Sequence, residues 1–455
     1  MSLLPREGVE VASSLAAAVL TVGAALAMLA LATSGVFGYF YADGLTRTMV
    51  ITISSIYLTS VAYSVFYLKR IKEPLIRFRW YYSLLDLFVF TMLLAVTVND
   101  LGFVWIAVEA TTVTSALLVA LERERTSVEA AWRYTLLVSA GLVASLLSVI
   151  LVFYSQGTLT ISVLLTRTAA SDLVMAVAVG FALVGYGTKA GIAPMHAWLP
   201  DAHSEAPSPV SAMFSGILLP TSIYALLRTF VLLDGSPAFE AMRNLLIGFG
   251  VFTALLAAVI MGTQRNYKRM LAYSSMENMG IILVGFALGG VGAVGAVIQV
   301  VAHAFAKSSA FYEAGNILVA FNSKSMAAVQ GVIGRLKVSG SLFTLSCLAV
   351  TGAPPFGVFI GEFLIISQAM QAGDFLVVVL LAVAYVYTFV GLNSQAIRMV
   401  FGQRPPLQED GSAQPGLQKE SWLSIAVPLV NLTVSLAIGL YMVPEISQAI
   451  AGAGL

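Results

Sequence analysis

Apolar stretches of about 20 residues, each ended by a few polar positions, recur along the whole chain, and that rhythm predicts membrane-spanning helices. Thirteen are predicted, over residues 10–32, 47–68, 81–98, 101–121, 129–155, 171–192, 209–231, 244–264, 271–289, 291–321, 338–371, 375–401 and 421–445. The first follows only a few polar residues and is long enough to span, so it reads as a retained helix and not as a cleaved signal peptide. The longest hydrophilic stretch, QRPPLQEDGSAQPGLQKE from Gln403 to Glu420, has the composition of a linker, which leaves no soluble domain.

Composition agrees. The 455 residues are 59% hydrophobic and 10% charged, which excludes the ordinary soluble class and fits an all-α polytopic membrane protein. Mean hydropathy is +0.90. Cys347 is the only cysteine, which rules out a thiolate-ligated cluster and an internal disulfide. Three histidines argue against a protein-built metal site, so no cofactor is expected in this chain.

The net charge of +1 says little, but the placement of the charges says more. Eighteen of the 24 Lys and Arg residues fall at the N-terminus or in loops after even-numbered helices. The other face receives only Arg47, Arg167, Arg228 and Arg243. By the positive-inside bias the N-terminus is cytoplasmic and, after thirteen spans, the C-terminus is outside. Lys189 and Lys307 belong to no loop.

An ionisable side chain at mid-bilayer costs about 3 kcal/mol on insertion scales, so each marks a candidate site. Four positions qualify: Glu109 in WIAVEATT, Lys189 in GYGTKAG, Lys307 in HAFAKSS and Glu362 in FGVFIGEF. A Glu and a Lys about 4 Å apart attract by about 4 kcal/mol at an effective dielectric near 20. A carboxylate that shifts by a few ångströms then lets the lysine release or recapture a proton near neutral pH. Glu109 with Lys189 is such a switch, or else a fixed ion pair that orients two helices. Gln299, His303 and Lys307 recur every fourth residue and form one polar stripe on the tenth helix, suited to a proton relay or a hydrated wall.

Two segments are interrupted. The sixth carries Gly185, Gly187, Gly191 and Pro194 around Lys189, and the eleventh carries TGAPPFG before Glu362. Broken helices occur where backbone lines a cavity or is buried in protein, and paired breaks point to a transport path. Their separation by five helices predicts two inverted five-helix repeats, residues 81–231 and 244–401. These stand between N-terminal helices in 1–80, a cytoplasmic linker 402–420 and a last span in 421–455. Glu277 and Glu313 could join the relay, with Glu277 placed near the cytoplasmic end of its helix and Glu313 open to a structural pairing. Asp86 and Asp100 read as interfacial groups near helix ends. His196 and His203 flank the loop after Lys189, as a proton-uptake route or as ordinary loop residues. GGVGAVGAV from Gly289 reads as close helix packing.

Four ordered motifs, GTKAGIAPMHAWLPDAHSEAPSPVSAMFSGILL, KRMLAYSSMENMGII, HAFAKSSAFYEAGN and GAPPFGVFIGEF, resemble the proton-translocating membrane subunits shared by respiratory complex I, Mrp-type cation/proton antiporters and energy-converting hydrogenases. WIAVEATTVTSALLVALERERTSVEAAWRYTLL is most similar in appearance to component F of the hydrogenase-4 and formate hydrogenlyase group. The resemblance covers residues 80 to 402 and implies a fourteen-helix fold with inverted repeats. It also implies roles for Glu109, Lys189, His303, Lys307 and Glu362 in proton translocation. The chain departs from the family in lacking its first helix and any long lateral helix. It also has Pro220 in SGILLPTSIYALL, where many relatives place a bridging lysine, and waters held by Ser215, Thr221 or Tyr224 would have to complete the path.

The function expected is proton or sodium translocation in a redox-driven multisubunit complex of a prokaryotic cell membrane. Its partners are other membrane subunits, further antiporter-like subunits among them, and a peripheral electron-transfer module. Iron–sulfur clusters, with nickel–iron as a further candidate, belong to those partners. Two alternatives are a subunit of a gradient-driven Mrp-type cation/proton antiporter and a non-transporting scaffold.

Overall fold

The computed structural model describes residues 6–31, 34–70, 78–122, 124–167, 172–403 and 420–441. The chain starts with α1 (Arg6–Leu31), a hairpin of β1 (Gly35–Phe37) and β2 (Phe40–Ala42), and α2 (Gly44–Tyr67). There follow α3 (Phe78–Thr97), α4 (Leu101–Val119), α5 (Arg125–Gln156), the single turn α6 (Ile161–Leu164), α7 (Asp172–Ala190) and the short α8 (Leu199–Glu205). A continuous rod from Ser208 holds α9 (Ser208–Met213), a π-helical turn (Phe214–Leu218) and α10 (Leu219–Phe230). The second half comprises α11 (Phe239–Met261), α12 (Tyr267–Leu288), α13 (Gly290–Phe321), α14 (Lys337–Val350), α15 (Gly357–Gln371), α16 (Phe375–Phe401) and α17 (Trp422–Tyr441).

Among the described residues twelve helices are long and apolar enough to cross a membrane, and the eleventh predicted span, 338–371, is divided into the shorter α14 and α15. The chain is therefore a multi-pass membrane protein. Most of the predicted linker, 404–419, and the end of the last predicted span, 442–445, lie outside the described residues, as do Lys72, Arg77, Arg123, Arg404 and Lys419 of the charge pattern. The two breaks are built alike. Gly191 and Gly352 adopt φ +79° and +68° just past α7 and α14, and each is followed three residues later by a cis-proline, Pro194 and Pro355. The halves also pack alike, with α3 on α4 as α11 is on α12, and α5 on α7 as α13 is on α15. Gly185 permits the α5–α7 approach, since a Cβ there would lie 2.5 Å from the Ser145 backbone nitrogen. The glycine-rich start of α13 does pack closely: a Cβ on Gly295 would lie 2.8 Å from the Gly361 carbonyl oxygen of α15.

The rod from Ser208 and α12 form the interior, while α1, α5 and α16 turn apolar faces outward. This arrangement corrects several expectations. Asn266 caps α12 by accepting from the Lys268 and Arg269 backbone nitrogens at 2.9 and 3.2 Å, so the helix starts four residues earlier than predicted. Glu277 consequently lies at mid-helix and not at an end, and Lys268 is a buried side chain donating to the Ala206 carbonyl at 2.6 Å instead of a loop charge. Asp86 is likewise eight residues into α3, where it accepts from Ser14 at 2.8 Å and Tyr57 at 2.5 Å. Asp100 is at a helix end as expected, capping α4 through Gly102 and Phe103. Arg228, expected in a loop, is buried in α10 and pairs with Asp43 at 2.7 Å. His203, expected in a loop, is fully buried in α8.

Candidate functional site

Lys189 occupies the last turn of α7, fully buried, just before the chain breaks at Gly191. Its Nζ donates to Thr112 Oγ1 of α4 at 2.6 Å and to Tyr134 OH of α5 at 3.0 Å, and lies 5.3 Å from the Tyr134 ring centre. Tyr134 in turn shares a hydrogen bond with Ser115 at 2.8 Å. Glu109, one turn before Thr112, accepts from Ser139 at 2.6 Å, and its Oε2 has no hydrogen-bond partner among the described residues. Glu109 is close enough to act electrostatically on Lys189. The two are not in contact, however, because Thr112 and Tyr134 hold the ammonium instead. The ammonium is thus held by two hydroxyls, with the partnerless Glu109 oxygen acting on it only through space. Trp198 fastens the break, its indole donating to the Thr188 carbonyl at 2.7 Å and its ring lying 4.7 Å from Tyr134.

The second cluster is built on α12 and α13. Lys307 is fully buried and donates to the Leu271 carbonyl at 3.1 Å and to Ser274 Oγ. One turn on from Ser274, Asn278 donates to the Ser274 carbonyl at 2.9 Å and to Glu277 Oε2 at 2.8 Å, and accepts from Gln299 Nε2 at 2.7 Å. Gln299 also meets the Glu362 carboxyl of α15. A polar line therefore joins Lys307, Ser274, Asn278, Gln299 and Glu362, with Glu277 attached beside it. Glu277 lies within electrostatic reach of both Lys307 and Glu362, and Tyr385 of α16 faces the two carboxyls. Gly352 leaves the room for Glu362: a Cβ in its place would collide with Glu362 Oε2.

Two histidines lie beside Lys307. His203 and His303 are fully buried, their ring nitrogens lack hydrogen-bond partners among the described residues, and both lie within electrostatic reach of Lys307. His203 is separated from Lys189 by an aromatic wall. Trp198 and Phe214 lie 6.3 and 5.6 Å from its ring centre, and Phe214 is 5.7 Å from Tyr134 on the far side. The π turn presents Phe214 and ends beside Pro220, which has no N–H to return to the Gly216 carbonyl.

The remaining predicted positions divide. Ser215 reaches the second cluster through Ser275 at 2.6 Å, next to the Ser274 that holds Lys307. Thr221 donates only to its own helix, at the Ile217 carbonyl, 2.7 Å away. Tyr224 belongs to another group, donating to the Val96 carbonyl at 2.8 Å and lying under the Arg228 guanidinium. His196 is half-buried in the turn after the break, and its ring centre lies 6.4 Å from that of Tyr273. Sequence reasoning missed Thr112, Tyr134, Ser274 and Asn278. Their only signal was polarity inside apolar helices, shared with many residues that bond their own backbone.

The basic face carries ion pairs beside α8. Lys324 meets Glu205 at 2.9 Å, and Arg269 meets Asp201 at 3.0 Å. Burial alone would raise the Glu205 carboxyl, but Lys324 outweighs it and holds the group below the usual glutamate range.

Comparison with known proteins gives the same architecture. The family model described as NADH:quinone oxidoreductase/Mrp antiporter, TM, matches residues 98–388. A hydrogenase-4 component F homolog from Methylacidiphilum infernorum is 33% identical over 382 residues, covering 80% of this chain and 79% of the relative. A chain of the archaeal membrane-bound sulfane sulfur reductase superposes with a TM-score of 0.87 at 22% identity, covering 100% of this chain and 92% of that one. A chain of the Mrp complex from Dietzia sp. DQ12-45-1b gives 0.88 at 21% identity, covering 98% and 92%. The resemblance read from the four motifs is thereby supported by family, relative and fold together. With most of its length inside one family model and a relative matched over four-fifths of both chains, this protein belongs to the NADH:quinone oxidoreductase/Mrp antiporter family of membrane subunits, on its hydrogenase-4-like side.

Proposed function

We propose that this antiporter-like subunit moves protons, or sodium ions in their place, across a prokaryotic cell membrane within a redox-driven multisubunit complex. One observation carries the reading: a line of buried polar groups from Lys307 to Glu362, running through the Ser274 hydroxyl and backbone carbonyl, Asn278 and Gln299 in otherwise apolar helices. Lys189 holds a charge that Thr112 and Tyr134 dock in one position and Glu109 attracts toward another. His203 and His303, beside Lys307, carry charge between Lys189 and Lys307, and the aromatic wall separates the halves until it moves. His203 therefore acts in the middle of the path, while His196 remains the residue at the mouth. Charge leaves past Glu277 and Glu362. The excess of Lys and Arg on one face supports a cytoplasmic N-terminus.

At a membrane potential near 150 mV each outward charge costs about 3.5 kcal/mol, scaling from 2.3 per 100 mV. A buried lysine moving between a hydroxyl pair and a carboxylate supplies energy of that order. Electrons are handled by partners that carry iron–sulfur clusters, with nickel–iron as a further candidate, and this chain supplies the ion path. Subunits that co-purify with it distinguish this reading from a gradient-driven assembly, which would bring no redox centres. In reconstituted vesicles Lys189→Ala is expected to abolish ion movement while the complex stays assembled. Wild-type flux in that variant would overturn the reading and favour a scaffold.

A further inference from the structure

Another intramembrane acid lies outside the path from Lys189 to Glu362. Glu313 is fully buried in α13, eight residues from the end of the helix and so about 12 Å inside the basic face at 1.5 Å per residue. It is about 9 Å along the axis from Lys307 and turned away from it. Its Oε2 accepts from Asn316 at 2.8 Å, and its Oε1 has no partner among the described residues. A carboxylate with a bare buried oxygen is costly, and a proton bound at that oxygen removes the cost.

The surroundings connect this group to the basic face. Asn316 also donates to Ser339 Oγ at 3.2 Å, and Ser339 Oγ donates to Glu420 Oε2 at 2.9 Å. Glu420 is half-exposed and is fixed by the Val338 and Ser339 backbone nitrogens at the start of α14, at 3.0 and 2.9 Å. The Glu313 carboxyl also interacts with the Ser339 hydroxyl and feels the Glu420 charge. One hydroxyl, able both to donate and to accept, thus stands between two acids, one at the surface and one inside. The other titratable group beside Glu313 is Tyr63 of α2, which donates to Asn316 Oδ1 at 3.0 Å and holds the amide in place.

We propose that Glu313 is a proton-binding site of the second half, with its own connection to the basic face through Ser339 and Glu420. A proton bound first at Glu420 passes to the Ser339 oxygen as that hydroxyl releases its own proton toward Glu313, and the reverse sequence empties the site. This route shares no residue with the turn that carries His196.

The test is infrared spectroscopy of the full chain in its purified complex, and it reads no ion flux, so it stands or fails separately from the transport reading. The difference spectrum between wild type and Glu313→Gln is expected to contain a protonated-carboxyl band that shifts in D₂O. Glu313→Asp should keep a band and move it, which covers the case where the glutamine variant does not assemble. Ser339→Ala and Glu420→Gln should slow the deuterium shift by about tenfold or more, the rate equivalent of one lost hydrogen bond. The proposal is overturned if no band responds to either substitution at Glu313, or if exchange is as fast without Ser339 and Glu420.

Discussion

Replacing Tyr134 with Phe removes one hydroxyl from the Lys189 site and keeps almost all of its packing. Lys189 would retain Thr112 at 2.6 Å and the ring face at 5.3 Å, and would lose the 3.0 Å bond to the phenol. Ser115 still donates to the Thr111 carbonyl at 2.5 Å, so its hydroxyl is not stranded. A hydrogen bond from a charged donor contributes about 1.5–3 kcal/mol, which weakens the Thr112 docking position by about 10- to 150-fold. The ammonium released from that position has the bare oxygen of Glu109 as its alternative. Lys189 would then be trapped at one end of its excursion. In vesicles containing the reconstituted complex, energised by its electron donor and read with an internal pH dye, Tyr134→Phe should translocate at least about tenfold more slowly than wild type. It should assemble and melt normally. Ser115→Ala, which removes the other partner of Tyr134 and leaves the lysine bond, should lose much less. Wild-type flux in Tyr134→Phe, or equal loss in both variants, would refute the two-position account of Lys189.

Gly352→Ala drives a methyl into Glu362 Oε2 at a positive φ and should cost about 1–3 kcal/mol in backbone strain alone; ion flux and melting both unchanged would show that the break does not seat Glu362. Asp43→Asn leaves Arg228 buried without its 2.7 Å partner and should destabilise the chain by about 3–5 kcal/mol. The double variant Asp43→Asn with Arg228→Leu should recover much of that loss in thermal unfolding, and no recovery would mean the pair is not the cause. Glu205 has a folded value below the usual glutamate range, so its contribution is present above the unfolded value and lost as pH falls through the lower folded one. Melting curves should therefore show an acid-side loss that Glu205→Gln flattens, and identical acid sensitivity in both proteins would count against the Lys324 pairing.

Much of the molecule was legible in the chain because a bilayer imposes simple rules. Span length, the isolation of Lys189, Lys307, Glu109 and Glu362 in apolar segments, and the glycine–proline breaks follow from what lipid tolerates, and any such sequence must display them. Partners were not legible. Thr112 and Tyr134 reach Lys189 from 77 and 55 residues away, and one-dimensional periodicity holds no information about which helices meet. Pattern also misplaced Glu277, because a polar cap at Asn266 extended α12 below its apolar window and moved that carboxyl to the middle of the membrane. His203 read as a loop residue because seven residues are too few to show helical periodicity, yet it is fully buried in α8 against Trp198 and Phe214. The sequence by itself determined that Glu109, Lys189, Lys307 and Glu362 enter the membrane and where the chain must break, since both are costs borne locally by each segment. Only the tertiary structure decided which hydroxyl, amide or carboxylate answers each charge, since that depends on the packing of helices distant in the chain.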